Sequence, residues 1–169
     1  MILSYYYLHN HIRKLVAKQK EGQRCFIPFT KAKRILLLCL EKDRETIQSD
    51  LVSWEHGHTI HIVSYAERQS TGSTEGLFIS RKDLNIWGYP SVGIMQKWLS
   101  MEVDLLIDLS CGEIPALQYM VVKHPALCKV GIKNGQLDIY DFALIMTDSK
   151  DIHYLLERML FYLQTIQFK

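Results

Sequence analysis

Cys111 is the residue best placed for nucleophilic chemistry. It lies in the segment Ser110–Glu113, after an apolar run that ends at Leu109 and before a helix-like segment that opens near Pro115. A cysteine between a strand end and a helix start meets free backbone amides, which favour the reactive thiolate. It also needs a base within hydrogen-bond reach, and His124 would lie roughly 20 Å away along an intervening helix. A structural cysteine in a turn is therefore the favoured interpretation, and a catalytic cysteine is the alternative.

His56, His58 and His61 form the spacing HxHxxH, which raises the question of a metal site. Imidazole is a common metal ligand, but dependable motifs place their ligands on one face together with a carboxylate or cysteine. In an extended strand His58 and His61 would point to opposite faces. We therefore predict no metal site, and these three histidines are the weak candidates for one.

The scaffold that must position these residues is predicted by the hydrophobic pattern. Short apolar runs typical of buried strands alternate with segments in which apolar residues recur every three or four positions. The stretch from Val103 to Gly131 predicts a strand, a tight turn, a crossover helix and a parallel strand. We predict an α/β fold, a three-layer Rossmann-like sandwich. It has a mainly parallel sheet of five or six strands, helices on both faces and an appended N-terminal helix.

The predicted organisation is a basic N-terminal helix over 1–24 and a single α/β domain over 30–169. Residues 66–80 are polar and are expected to form a loop, while 84–87 is expected to be a short edge strand. Sheets of this kind collect ligands at the carboxyl ends of their strands. The predicted ligand crevice consists of polar residues that follow three of the strands, namely Glu41, Asp43, Ser110, Cys111, Gly112, Glu113 and Asp148. Its acidic lining disfavours anionic ligands and suits amines or sugars.

The charge of the chain is unevenly distributed. The net charge is +2 overall, but it is +7 through Arg34 and −5 over the remainder. Such asymmetry is typical of contact with nucleic acid or another anionic surface, but the favoured explanation is an exposed helix solvated by its lysines. The predicted interaction residues are the cations of the N-terminal helix, Arg13, Lys14, Lys18, Lys20 and Arg24. Their partner would be a protein, a second copy of this chain or, less favoured, RNA.

The sequence lacks the motifs that bind the common cofactors. A glycine-rich turn for a dinucleotide, a P-loop lysine for a nucleoside triphosphate and a CxxC pair are all missing. The sequence therefore predicts no cofactor. It also has no apolar run long enough to cross a bilayer and no signal peptide, so we expect a cytoplasmic protein without membrane insertion.

Several short motifs resemble a known family. They are LNIWG (84–88) with Pro90, VDLLIDL (103–109), Pro115 with Tyr119, Lys129-Val130-Gly131 and Tyr140-Asp141. In this order they are similar to a domain of unknown function found in small uncharacterised proteins of Bacteroidetes-type bacteria. The progression from DLLIDL through a helix to VG also resembles the N-terminal half of heptosyltransferase-type glycosyltransferases. That likeness implies a Rossmann-like fold and argues against transferase activity, because those enzymes need a second domain.

Two functional hypotheses follow from the sequence. The first is a non-enzymatic binding or interaction protein that works through its basic N-terminal helix or through self-association. The alternative is a small-ligand binder or enzyme with its site at the strand ends around Cys111.

Overall fold

The protein is built on a six-stranded, all-parallel sheet. The computed structural model describes residues 2–19, 26–52, 54, 57–67, 76–111, 114–133, 135, 137–145 and 151–165. Within them the strands are β1 (Arg34–Leu40), β2 (Thr59–Ala66), β3 (Leu77–Ser80), β4 (Leu105–Asp108), β5 (Cys128–Lys133) and β6 (Phe142–Ile145). Their order across the sheet is β3-β2-β1-β4-β5-β6. This is the doubly wound order, and it confirms the predicted α/β class.

Helices cover both faces of the sheet. The described α-helices are α1 (Ile2–Gln19), α2 (Arg44–Leu51), α3 (Val92–Ser100), α4 (Pro115–Lys123) and α5 (Ile152–Thr165). Buried side chains of α1, α3 and α4 share one hydrophobic cluster, and those of α2 and α5 share the other. The three layers predicted from the sequence are therefore confirmed, including the helix at the N-terminus.

The central strand β1 explains why two apolar clusters form. Its residues from Ile35 to Cys39 are all fully buried. Successive side chains of a strand point to opposite faces, so Ile35, Leu37 and Cys39 enter the cluster of α2 and α5. Leu36 and Leu38 enter the cluster of α1, α3 and α4. A continuous apolar run is thus what a strand covered on both faces requires.

The polar segment 66–80, predicted to be a loop, contains the third strand. β3 occupies its last four residues and pairs in parallel with the end of β2, with Ile79 opposite Tyr65. The run LFIS is short and follows a polar stretch, so composition averaged over the segment hides it. The loop prediction is wrong for these residues.

The edge strand predicted at 84–87 is also wrong. Leu84 makes only an isolated antiparallel bridge to Pro90. The side-chain oxygen Oδ1 of Asn85 accepts the backbone N–H of Trp87 at 2.9 Å. An asparagine side chain that captures nearby backbone donors favours a turn over a strand, and the chain turns here.

The N-terminal helix α1 is packed as part of the core. Leu8, Ile12 and Val16 are buried in the cluster that also contains α4, and Gln19 Nε2 donates to the carbonyl of Val122 at 2.9 Å. The division into 1–24 and 30–169 remains a prediction. In the part of the chain that the structure describes, no helix is long and apolar enough to cross a membrane.

Candidate functional site

The ends of β1 and β4 lie side by side at the point where the strand order reverses. Leu38 pairs with Asp108, and the backbone N–H of Leu109 donates to the carbonyl of Leu38 at 2.7 Å. In doubly wound sheets a crevice opens at this switch point, outside the carboxyl ends of the strands. The structure thus brings Glu41 and Cys111, which follow β1 and β4, to the same edge of the sheet.

A cavity of about 530 Å³ opens at this edge, and we call it the carboxyl-edge cavity. Its volume falls in the range of about 300–1,000 Å³ that is usual for small-molecule sites. It lies over the ends of β1 and β2, beside the residue that precedes α4. Its lining residues are Leu40, Glu41, Lys42, Tyr65, Ala66, Glu67 and Ile114.

A second, smaller cavity of about 260 Å³ adjoins the first, and we call it the aromatic chamber. Both cavities are lined by Tyr65, Glu67 and Ile114. The aromatic chamber adds Tyr5 from α1 and Trp87 from the turn that follows β3, among others. The two cavities therefore share part of their lining, between the sheet edge and the N-terminal end of α1.

The structure places one of the predicted crevice residues in the lining of the carboxyl-edge cavity and others outside that lining. Glu41 lines the carboxyl-edge cavity, whereas Asp43, Ser110 and Cys111 are not among its lining residues. Asp43 is partly buried, and this burial raises the pKa of its carboxyl. The other three predicted residues, Gly112, Glu113 and Asp148, are outside the described residues.

Cys111 has the environment of a structural thiol. Its Sγ donates to the carbonyl of Leu109 at 3.1 Å. Burial, followed by the negative charges of Asp108 and Asp43, raises the pKa of the thiol to about 12. Its φ of +50° is unusual for a residue with a side chain, and it marks the sharp turn after β4. The thiol is therefore protonated at neutral pH, the opposite of what nucleophilic catalysis needs.

His124 and His153 both have partners other than Cys111. The Nδ1 of His124 accepts the backbone N–H of Ala126 at 3.0 Å, and its ring packs edge-on against Trp98. His153 contacts Asp50 through Nδ1 at 2.7 Å. Among the described residues, no histidine forms a hydrogen bond with Cys111.

Asp108 is the buried polar residue at the end of β4. Its Oδ2 accepts the hydroxyl of Tyr140 at 2.7 Å, and its Oδ1 accepts the backbone N–H of Ser110 at 2.9 Å. Burial raises the pKa of the carboxyl, and these hydrogen bonds oppose that rise. Asp108 therefore caps the turn and holds the hydroxyl of Tyr140 in place. Both of these roles are structural.

The histidine trio does not assemble in the described part of the chain. His58 donates from Nδ1 to the carbonyl of Ala32 at 2.6 Å and packs against Phe29. His61 is exposed on β2, and His56 is outside the described residues. No group of three or more potential metal ligands occurs among the residues described.

The basic face of α1 points away from the core. Arg13, Lys14 and Lys18 are exposed, while Lys20 and Arg24 lie outside the described residues. About two turns nearer the N-terminus, Tyr6 and Tyr7 are more than 60% exposed. This outer face thus carries aromatic residues in its first half and cations in its second.

Sequence reasoning missed most of the residues that line the carboxyl-edge cavity. Tyr65 and Ala66 end β2, Glu67 follows it, and Ile114 precedes α4. The available signal was the alignment of parallel strands, since the residues that end β2 must lie at the same edge as those that end β1. A search of the sequence for polar side chains does not find these residues, because most of them are apolar.

A family model matches residues 5–166, nearly the whole chain, and its description is "Family of unknown function (DUF6913)". No curated protein and no solved structure matches the chain. The predicted resemblance to a domain of unknown function is confirmed by this match. The bacterial group and the likeness to heptosyltransferases gain no support from it. The chain therefore belongs to DUF6913, a family of unknown function.

Proposed function

We propose that this protein is a non-enzymatic binding protein that holds a small organic ligand in the carboxyl-edge cavity. The observation that supports it is a cavity of about 530 Å³ at the carboxyl ends of β1 and β2 in a doubly wound sheet. The absence of catalysis is proposed because the thiol of Cys111, with its pKa raised to about 12, is not activated.

The ligand would be mainly apolar with a small number of polar groups. Leu40, Tyr65, Ala66 and Ile114 supply an apolar and aromatic wall, and the polar groups are few. Sites that bind small molecules combine these two features, because burial of apolar area gives affinity and the polar groups fix orientation.

The test is a fragment screen by ligand-observed NMR on the full chain and on two matched variants. Ala66→Phe places a ring in the cavity, while Ala17→Phe makes the same change on the exposed face of α1. Fragments that bind the wild type and Ala17→Phe but not Ala66→Phe would support the proposal.

Two outcomes would refute this proposal. One is a screen in which no fragment binds the wild type, and the other is a folded Ala66→Phe variant that keeps every fragment. If Ala66→Phe does not fold, Ile114→Trp tests the same cavity from the opposite wall.

The outer face of α1 supports a second candidate function, contact with a macromolecular partner. The exposed cations Arg13, Lys14 and Lys18 lie on the same surface as the exposed Tyr6 and Tyr7. Aromatic residues and arginine are enriched where proteins meet partners. RNA, a partner protein and a second copy of this chain are the alternatives carried forward from the sequence.

A salt titration separates these alternatives. If RNA is the partner, binding to a single-stranded RNA should weaken steeply with salt, because condensed counterions are released. The double variant Lys14→Glu/Lys18→Glu should bind more weakly and with a smaller salt slope. If RNA does not bind, light scattering on the same two proteins tests self-association, and a monomer in both cases would leave a partner protein as the remaining alternative.

A further inference from the structure

The open edge of the sheet at β6 lies beside a groove. β6 is the last strand in the sheet order, and among the described strands it pairs only with β5. A cavity of about 360 Å³ lies between this strand and α5, and we call it the edge groove. Its lining residues are Phe142, Ala143, Leu144, Ile145, Tyr154, Leu155, Arg158 and Tyr162. The edge groove therefore runs along a strand that has a neighbouring strand on one side only.

The pairing of β5 with β6 shows which backbone groups are already used. The carbonyl of Lys129 accepts the backbone N–H of Asp141 at 2.7 Å, so Lys129 faces β6. Alternate residues of a strand face the same neighbour, and Gly131 therefore faces β6 as well. The register partner of Gly131 is Ala143. In a parallel ladder a residue bonds with the residues on either side of its register partner, which here are residues 142 and 144.

The remaining residues of β6 direct their backbone groups towards the open edge. Ala143 and Ile145 alternate with the residues bonded to β5, so their N–H and C=O groups point outwards. β6 also contains no proline or charged residue of the kind that commonly protects an edge strand from pairing. The outer side of β6 is thus able to pair with another extended chain.

The side of α5 that borders the edge groove carries a cation beside two aromatic rings. Tyr154, Arg158 and Tyr162 recur every four residues and form one stripe along the helix. The guanidinium carbon Cζ of Arg158 lies 5.4 Å from the ring centroid of Tyr154 and 5.9 Å from that of Tyr162. Both rings line the edge groove. Arg158 is exposed and forms no ion pair with a described residue, so its charge is open to a partner.

The acidic residues closest in sequence to this cation and to β6 are directed elsewhere. Glu157 lies 3.6 Å from Nε2 of His153, on the side of α5 that contacts α2. Asp141 precedes β6, and its Oδ2 accepts the backbone N–H of Lys129 at 2.8 Å. Arg158 is the one charged residue among the described residues that line the edge groove, so the groove is positive.

The rest of the edge groove is apolar and partly exposed. Phe142 and Leu144 pack against the cluster of α2 and α5 without being fully buried. Ile145 is 79% exposed at the end of β6. Apolar side chains that lie against these residues would remove the exposed apolar surface from water, which favours binding.

We propose that the edge groove binds an extended, acidic peptide segment of a partner protein. The segment pairs with Ala143 and Ile145 as a seventh strand and places a carboxylate against Arg158. When a peptide adds to a sheet edge, main-chain hydrogen bonds give affinity and pockets for alternate side chains give selectivity. Charge complementarity favours such a peptide over a second copy of this chain, because edge-to-edge pairing of two copies brings together two positive grooves. This proposal is independent of the ligand proposed for the carboxyl-edge cavity.

Three synthetic peptides of one length and different charge test the proposal. The acetylated and amidated peptide TVTETVT places glutamate between two valines on one face of an extended chain, because alternate side chains share a face. The other two peptides carry glutamine or lysine in place of the glutamate. We expect the full chain to bind the glutamate peptide about ten-fold more tightly than the glutamine peptide, and the lysine peptide most weakly. NMR titration measures the three affinities.

A matched pair of variants locates the charge, and hydrogen exchange locates the strand. Arg158→Gln should bind the glutamate peptide about ten-fold more weakly than the wild type and the glutamine peptide equally well. Arg13→Gln makes the same substitution at an exposed position of α1, where we expect a change of about two-fold or less. The amides of Ala143 and Ile145 should exchange more slowly when the glutamate peptide is bound, because they then donate to its backbone.

Four results would overturn the proposal. The first is that no peptide binds at millimolar concentration, and the second is that all three bind equally. The third is an Arg158→Gln variant that keeps the wild-type affinity for the glutamate peptide. The fourth is protection of Ala143 and Ile145 that grows with protein concentration in the absence of peptide, which would identify a second copy of this chain as the occupant.

Discussion

Gly131 is a position where the fold leaves no room for a side chain. A Cβ built on it would lie 2.5 Å from Cζ of Tyr140, far inside van der Waals contact. The ring cannot easily retreat, because its hydroxyl donates to the buried carboxylate of Asp108 at 2.7 Å. The close approach of β5 to this ring therefore depends on glycine at this position.

We predict that Gly131→Ala lowers the free energy of unfolding by about 1–3 kcal/mol, the usual cost of overpacking a core. Gly93→Ala is the matched control, because a Cβ there meets nothing within 4 Å on an exposed position of α3. That control should be neutral or stabilising by up to about 1 kcal/mol, since alanine favours a helix. Urea denaturation measures both, and equal effects would contradict this account of the Tyr140 contact.

His124 is a buried histidine that titrates well below its ordinary range. Burial, followed by the positive charge of Lys129, lowers its pKa from 6.5 to about 4. As pH falls, the unfolded chain takes up this proton before the folded protein does. Its contribution to stability is therefore complete above about pH 6.5 and is lost as pH falls towards about 4.

We predict that His124→Asn flattens the fall in the free energy of unfolding between about pH 7 and pH 4. Asparagine can still accept the N–H of Ala126 but does not titrate. One pKa unit corresponds to about 1.4 kcal/mol, so a pKa lowered from 6.5 to about 4 makes the pH-dependent loss on the order of 3 kcal/mol. Chemical denaturation across this pH range gives the value, and parallel curves for the variant and the wild type would refute the assignment.

The same substitution at His153 supplies a control of opposite sign. Its hydrogen bond with Asp50 raises the pKa of this exposed histidine. The contribution of His153 is therefore complete below about pH 6.5 and is lost as pH rises through the raised value. His153→Asn should thus lose stability at low pH relative to the wild type.

At the scale of elements, the sequence predicted those that bury long or continuous apolar patterns. The apolar run of β1 is buried from Ile35 to Cys39, and α5 buries a stripe of apolar residues at helical spacing. β3 was missed because four residues are too few for a periodic signal, and its place is decided by pairing with β2. In the same way Glu41 could be predicted as a site residue from its position after β1. The apolar wall of its cavity depends on tertiary contacts.

The burial of α1 predicts that this helix contributes to global stability. Ile12 is fully buried against the core, whereas Ile86 is 85% exposed in the turn after β3. We expect Ile12→Ala to lower the free energy of unfolding by about 2–5 kcal/mol and Ile86→Ala to change it by less than about 0.5 kcal/mol. Urea denaturation followed by circular dichroism measures both. An unchanged midpoint for Ile12→Ala would mean that residues 1–24 unfold independently of the domain.

At the scale of the whole molecule, the cavity and the basic face of α1 are separated along the helix axis. The aromatic chamber is lined by Ser4 and Tyr5 at the start of α1, and Gln19 at its end reaches Val122 at the end of α4. With a rise of about 1.5 Å per residue, Lys14 and Lys18 lie about 13–20 Å from Tyr5 along the axis. That exceeds the Debye length of about 8 Å at physiological salt, so the two surfaces are electrostatically independent.

We therefore predict that changes at the two surfaces combine additively. Lys14→Glu/Lys18→Glu should leave the affinity for a fragment that binds the carboxyl-edge cavity within about two-fold of the wild type, because distant, unconnected sites usually add within about 0.5 kcal/mol. Ala66→Phe should leave the salt slope of RNA binding unchanged, while loss of each lysine contact with a phosphate lowers that slope by about 1. Titration of both ligands against the two variants and their combination measures the coupling. A combined variant that departs clearly from the sum would show that α1 transmits occupancy of the cavity to its outer face.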